Sequence, residues 1–128
     1  PQELALLRRL VHEPETRGRF MADSGEKWLD DERLRAAALF VVSRAEGPES
    51  FPVELSPEGV RDLLTGLLME DVPGDYGEVA AALERRRLGR AAEDLTQRIR
   101  AAEACGDWEE FSRLAKEKSR IDREIRNA

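Results

Sequence analysis

Two stretches near the C-terminus space their apolar residues alternately by four and three, one on each side of a single glycine. Leu88, Ala92, Leu95, Ile99 and Ala102 precede Gly106. Phe111, Leu114, Ile121 and Ile125 follow it, with Lys118 filling the remaining seam position. Such spacing holds one narrow seam on one side of a helix, as in a coiled coil. The linker Cys105-Gly106 is short, and short linkers make antiparallel neighbours. Gly106 suits the left-handed end of a helix, and Asp107 with Glu110 has the spacing of a capping box. In an antiparallel pair, facing residue numbers share a constant sum. Ala102 with Phe111, Ile99 with Leu114, Leu95 with Lys118, Ala92 with Ile121 and Leu88 with Ile125 each total 213. Residues 84–128 therefore predict a helical hairpin whose seam is thin, a structure of marginal stability alone.

The upstream residues predict a bundle over 1–83. Leu4, Leu7, Leu10 and Val11, with Leu6 beside them, have helical spacing. Pro14 fits the first turn of a short second helix, which Gly18 weakens, with Phe20 and Met21 as its core residues. Asp30 is placed to cap a third helix, with Leu29 packing on Leu34 as a staple. The run Ala36 to Val42 is apolar nearly all round, as in a helix buried on most sides, and is expected to end at Gly47-Pro48. Ser56-Pro57-Glu58 opens a fourth helix with a Ser cap, and Leu55 and Val60 repeat the staple. That helix carries the stripe Val60, Leu63, Leu64, Leu67, Leu68, and Val72-Pro73-Gly74 stops it. Asp75 and Glu78 then start a helix of about 29 residues, roughly 43 Å long. Its first part, with Tyr76, Val79, Ala80 and Leu83, covers the bundle.

The fold class follows: all-α, an N-terminal bundle joined by a long helix to a C-terminal antiparallel hairpin. Composition agrees, since Ala, Glu, Lys, Leu and Arg supply 71 of 128 residues. The net charge of -6 is uneven. Residues 1–83 hold 9 basic and 17 acidic side chains, and residues 84–128 hold 12 and 10. An acidic body argues against nucleic-acid binding there, and the asymmetry suggests two parts with different jobs.

Chemistry-bearing motifs are scarce. One cysteine and one histidine fall short of a disulfide framework or a structural zinc set. No phosphate-binding loop, HExxH or GxSxG occurs. No cofactor and no metal are expected, and no enzymatic activity. No apolar run spans a bilayer, and no signal-peptide pattern opens the chain. Beginning on Pro1 rather than Met, the chain is expected to be a piece of a larger protein. His12 reads as structural or exposed, Cys105 as a bystander, and Arg85, Arg86, Arg87 and Arg90 as a solvated basic face or a contact with an acidic partner surface or nucleic acid, although no interleaved aromatics support single-strand binding. Trp108, Phe111 and Leu114 sit at the start of the last helix, where little core exists to hide a tryptophan. They read as packing on Ala101 and Ala104 or as a docking element.

The succession of bundle, long helix and terminal hairpin resembles the C-terminal, helicase-interaction domain of bacterial DNA primase of the DnaG type. The similar stretches are Pro1-Gln2-Glu3-Leu4-Ala5-Leu6-Leu7 with His12-Glu13-Pro14-Glu15, then Leu29 to Ala36, then Gly106 to Phe111 and Ala115 to Lys118. The resemblance implies a non-catalytic monomer, cytoplasmic, that binds the hexameric replicative helicase and couples primer synthesis to the bacterial replication fork. It implies helicase contacts through the hairpin, at Trp108, Phe111, Leu114, Arg120, Ile121, Arg123 and Ile125, with little direct nucleic-acid binding and no membrane. The alternative is the N-terminal oligomerisation domain of a replicative helicase, which the first 70 residues suit nearly as well.

Overall fold

The computed structural model describes residues 2–70 and 75–127. The chain falls into two compact units, Pro1–Leu83 and Glu84–Ala128. Its regular structure is all helical, with no strand among the described residues. Unit 1 holds α1 (Gln2–His12), α2 (Glu15–Ala22), α3 (Glu32–Val42), α4 (Arg61–Leu68) and the start of α5 (Tyr76–Cys105). Short 3-10 turns occupy Gly25–Trp28, Pro48–Ser50 and Val53–Leu55. Unit 2 holds the rest of α5 and α6 (Trp108–Asn127).

The apolar stripe of α1 builds the floor of unit 1. Leu6, Leu7, Leu10 and Val11 are wholly buried, whereas Leu4 is only partly so. Val60 just before α4, Leu64 and Leu67 within it, and Tyr76 and Leu83 of α5 complete the same cluster. Each such side chain contributes about 1.5–3 kcal/mol on leaving water. His12 Nε2 lies 2.8 Å from the Leu67 carbonyl oxygen, so the lone histidine ties the end of α1 to α4.

Several local expectations for unit 1 need correction. Met21 is 58 % exposed, because α2 turns Phe20 inward and the next side chain outward. The cap of α3 is Asp31, not Asp30. Its Oδ1 accepts from the amides of Arg33 at 2.8 Å and Leu34 at 3.1 Å. Leu29 thus lies one residue too far upstream for the staple position, although it is wholly buried. The apolar run of α3 buries only Ala37, Ala38 and Val41 completely, and leaves Leu39 39 % exposed. The helix ends at Val42, with Ser43 as its cap. Ser56 does not cap α4. Its hydroxyl donates back to Val53 O at 2.5 Å, and Gly59 at φ 94° turns the backbone left-handed before the helix starts at Arg61. Leu55 is correspondingly 58 % exposed rather than stapled. The stop at Val72-Pro73-Gly74 lies outside the described residues.

Tyr76, the one tyrosine of the chain, is 2 % exposed, and its hydroxyl donates to Asp23 Oδ2 at 3.0 Å. Burial, then the hydrogen bond and charge of Asp23, push its phenol well above the ordinary tyrosine range. The Arg19 guanidinium, 4.5 Å from the ring centre, opposes this only in part. In the unfolded chain the phenol ionises near about pH 10. The stabilisation is therefore whole below that pH and is lost as pH rises through the higher folded value. In an alkaline titration, tyrosinate absorbance is expected to appear together with loss of the helical signal. Tyrosinate forming near pH ~10 with the helices intact would refute this.

Unit 2 is a helical hairpin. Leu88, Leu95, Ala102, Leu114 and Ile121 are buried along its seam, with Ala91, Ala92, Ile99 and Phe111 packed against them. Gly106, at φ 73°, ends α5. Its amide donates to Glu103 O at 3.1 Å and that of Asp107 to Ala102 O at 3.0 Å, which satisfies two terminal carbonyls. Asp107 Oδ1 then accepts from the Glu110 amide at 3.1 Å and opens α6. α5 is one helix of 30 residues that runs through Gly89 without a break. A Cβ at Gly89 would meet nothing within 4 Å. Gly89→Ala is therefore expected to raise stability by about 0.5–1 kcal/mol, read as a higher urea midpoint. An unchanged or lower midpoint would show that Gly89 is needed for something other than the helix.

Candidate functional site

The residues expected to meet a partner all lie on α6, and the structure separates them into two groups. Leu114 is 1 % exposed and Ile121 6 %. They hold the two helices of the hairpin together and have no surface to offer. Phe111 is half-buried beside them. Trp108 is 61 % exposed and Ile125 36 %. Arg120 and Arg123 are exposed, and Arg120 Nη1 bonds Glu124 Oε1 at 2.8 Å.

Trp108 is the most unusual of these. It opens α6 immediately after the tight turn, where there is no preceding helical turn to pack on. Ala101 and Ala104 of α5 are themselves exposed, so the indole is not buried over them. Its ring stands edge-on to Phe111, with centroids 5.5 Å apart and planes at 70°. That contact fixes the indole while leaving most of it in water. A rigid, solvent-facing aromatic has large area to bury and little entropy to lose.

Charge is arranged asymmetrically around it. Arg98 Nη2 reaches across the seam to Glu110 Oε1 at 3.8 Å. Arg113 bonds the same carboxylate at 2.5 Å and lies 3.8 Å from Glu117. Within α5, Arg87 bonds Glu84 at 2.7 Å. The Arg113 guanidinium holds the Glu110 carboxyl below the usual carboxylate range. These pairs are exposed, so their individual stabilities are small. Their importance is positional, because they line one side of the hairpin. Of the basic cluster in α5, Arg87 is thus spent on an ion pair, while Arg85 is exposed.

Sequence reasoning missed Arg17. It lies in α2 and is 4 % exposed. Its Nε donates to Leu10 O at 2.7 Å and its Nη2 to Val11 O at 3.0 Å, at the end of α1. Its Nη1 donates to Arg44 O at 3.0 Å and Glu46 O at 2.8 Å, just past α3. The guanidinium also sits 5.4 Å from the Phe51 ring centre. Burial lowers its pKa, and Glu46 and Glu15 oppose that. This is a structural centre, and an arginine in a short amphipathic helix gave no sign of it. Cys105 is exposed at the turn. No group of three His, Cys, Asp or Glu that could hold a metal occurs among the described residues. No helix among them is long and apolar enough to cross a membrane.

Fold and surface together define a two-unit protein, all helical among the described residues, with an exposed tryptophan on its hairpin. A curated protein, regulatory protein RecX of Stenotrophomonas maltophilia, is 39% identical to this chain over 80 residues, which cover 59% of the chain and 48% of RecX. The chain thus spans about half the length of the curated relative it matches. No protein-family model matches it, and neither does any solved structure.

The RecX similarity overturns the primase resemblance and what it implied. A primase C-terminal domain, a replicative-helicase partner, a role at the replication fork and the alternative of a helicase N-terminal domain are all set aside. The physical reason lies in what carried that resemblance. It was an order of helices written in Leu, Ala, Glu and Arg, and such a pattern specifies packing. It does not specify which partner the exposed faces meet.

Proposed function

We propose that this chain is a non-catalytic regulatory protein that acts by binding another protein, with the contact made by the hairpin. The observation that carries this is Trp108, 61 % exposed and held by Phe111, on a unit with five buried seam residues. Tryptophan is enriched among the residues that dominate binding energy at protein interfaces. The printed name of the Stenotrophomonas relative, a regulatory protein, is of the same kind. In this proposal Trp108, Phe111, Arg120, Arg123 and Ile125 are available to the partner, and Leu114 and Ile121 keep the hairpin closed. Action in the bacterial cytoplasm belongs to the same proposal.

Complementation tests it. The chain is expressed in Stenotrophomonas maltophilia lacking its own RecX, and the RecX-dependent regulation is measured. The expected result is restoration by the native chain and loss of restoration by Trp108→Ala, with the helical signal unchanged. A native chain that restores nothing would refute the regulatory assignment.

A further inference from the structure

We infer that two copies of this chain pair through their hairpins, antiparallel, along the side that bears Trp108. This goes beyond the regulatory reading above. The pair would cover Trp108, so pairing and the binding of another protein through that residue exclude each other.

Helix register separates the two sides of the hairpin. Counted from buried Leu95 of α5 at about 100° per residue, Arg98 falls at about −60°, and Arg85 and Glu103 both at about +80°. Counted in the same way from buried Leu114 of α6, Glu110 falls at about −40°, and Trp108 and Arg126 both at about +120°. The bridge from Arg98 to Glu110 joins the two negative sides, so Arg85, Glu103, Trp108 and Arg126 share the other side. On each helix the two residues are 18 positions apart, which is five whole turns. All four are exposed. None of Arg85, Glu93, Arg100, Glu103 and Arg126 makes an ion pair among the described residues.

This side therefore carries an acid and an aromatic at its turn end and two arginines at the other. A two-fold axis across the hairpin exchanges those ends. It sets α5 on α5 and α6 on α6 of the second copy. Glu103 then stands level with Arg85 of the second copy as an ion pair, and Trp108 with Arg126 as a cation–π contact, each formed twice. The two registers agree. Facing numbers on α5 total 188, and those on α6 total 234, which the hairpin's own total of 213 converts to 192. The two centres differ by two residues, or about 3 Å, less than the reach of an arginine. Arg100 and Glu93, exposed further out on α5, total 193 and close a third ion pair in the same register. A surface that serves an unrelated protein has no reason to complement itself on reversal. Parallel pairing is disfavoured, because it sets acids against acids at the turns and arginines against arginines at the other end. Charges on the opposite side are already paired within and across the helices.

Sedimentation equilibrium of the full chain over a concentration series reads the pairing. A monomer–dimer equilibrium that salt weakens is expected. Glu103→Arg alone and Arg85→Glu alone each oppose like charges twice, and each should weaken it at least about tenfold. Mixing these two variants restores both ion pairs, so the mixture should pair as the native chain does. Trp108→Ala should also weaken pairing, whereas Arg113→Gln, on the opposite side, should change it less than about twofold. The altered residues are exposed, so circular dichroism should be unchanged. A spin label on Cys105, the one cysteine and exposed, reads the direction. Antiparallel pairing puts the two labels about 30 Å apart along the axis, and parallel pairing brings them together. A chain that stays monomeric, charge variants that pair unchanged, a mixture that fails to pair, or labels in close contact would overturn the proposal. A chain that pairs as described but does not complement removes the regulatory assignment alone.

Discussion

Arg17→Ala is expected to destabilise unit 1 by about 3–4 kcal/mol, a large share of the 5–15 kcal/mol typical of a whole domain. The guanidinium satisfies four carbonyls from two chain segments, Leu10 and Val11 at the end of α1 and Arg44 and Glu46 beyond α3. Each is a charge-assisted hydrogen bond, stronger than a neutral one. Removing the side chain leaves the Leu10 and Val11 acceptors buried without a donor, each costing about 1–3 kcal/mol, and opens a cavity beside Phe51. Arg17→Lys keeps the charge but replaces a planar fork by a single point, so it should recover only part of the loss. Urea denaturation followed by circular dichroism gives both values. A loss below about 1 kcal/mol for Arg17→Ala would mean that water replaces the guanidinium without penalty.

Gly25→Ala is the second large effect, a loss of about 2–3 kcal/mol. A Cβ at Gly25 would stand 2.4 and 2.5 Å from Phe20 ring carbons and 3.0 Å from Trp28. Those rings pack edge to face with centroids 6.3 Å apart and are almost fully buried, so neither has room to withdraw. The neighbouring residue supplies a control. Ser24 adopts φ 52°, in the left-handed region that favours glycine. Ser24→Gly relieves that strain and should raise stability by up to about 1 kcal/mol. Opposite signs at adjacent positions separate a packing clash from a general intolerance of this turn. If both substitutions lower the melting temperature alike, the clash is not the cause.

The buried half of the molecule was legible where one side chain decides one contact. The seam from Leu88 to Ile121 and the stripes of α1 and α4 were readable from spacing, because a helix brings residues three and four apart to one face. The turn at Gly106 and the caps at Asp75 and Asp107 were readable because few residues tolerate those places. Caps failed where two candidates stood side by side, as at Asp30 and Asp31, or where a glycine overruled the cap, as at Ser56 and Gly59. The candidate surface was half legible. Trp108 declared itself by being too large for a thin seam. Arg87 and Arg113 each have a Glu three or four residues away, so their pairing was readable from spacing, whereas Arg85 and Arg123 have none. The bridge from Arg98 to Glu110 crosses the seam, so no spacing within one helix could announce it.

By itself, the sequence determined an all-helical chain and a hairpin with its turn and seam, since these depend on local periodicity and backbone preference. Tertiary structure decided the rest. It decided that Arg17 ties the ends of α1 and α3 together, that Met21 and Leu55 face water, and that an ion pair crosses the hairpin seam from Arg98 to Glu110. Each depends on residues far apart in the chain whose meeting no local pattern encodes. The partner is read by exposed side chains, and periodicity constrains only the buried ones. For that reason the order of helices suggested a replication protein, while identity over 80 residues pointed to a regulatory one.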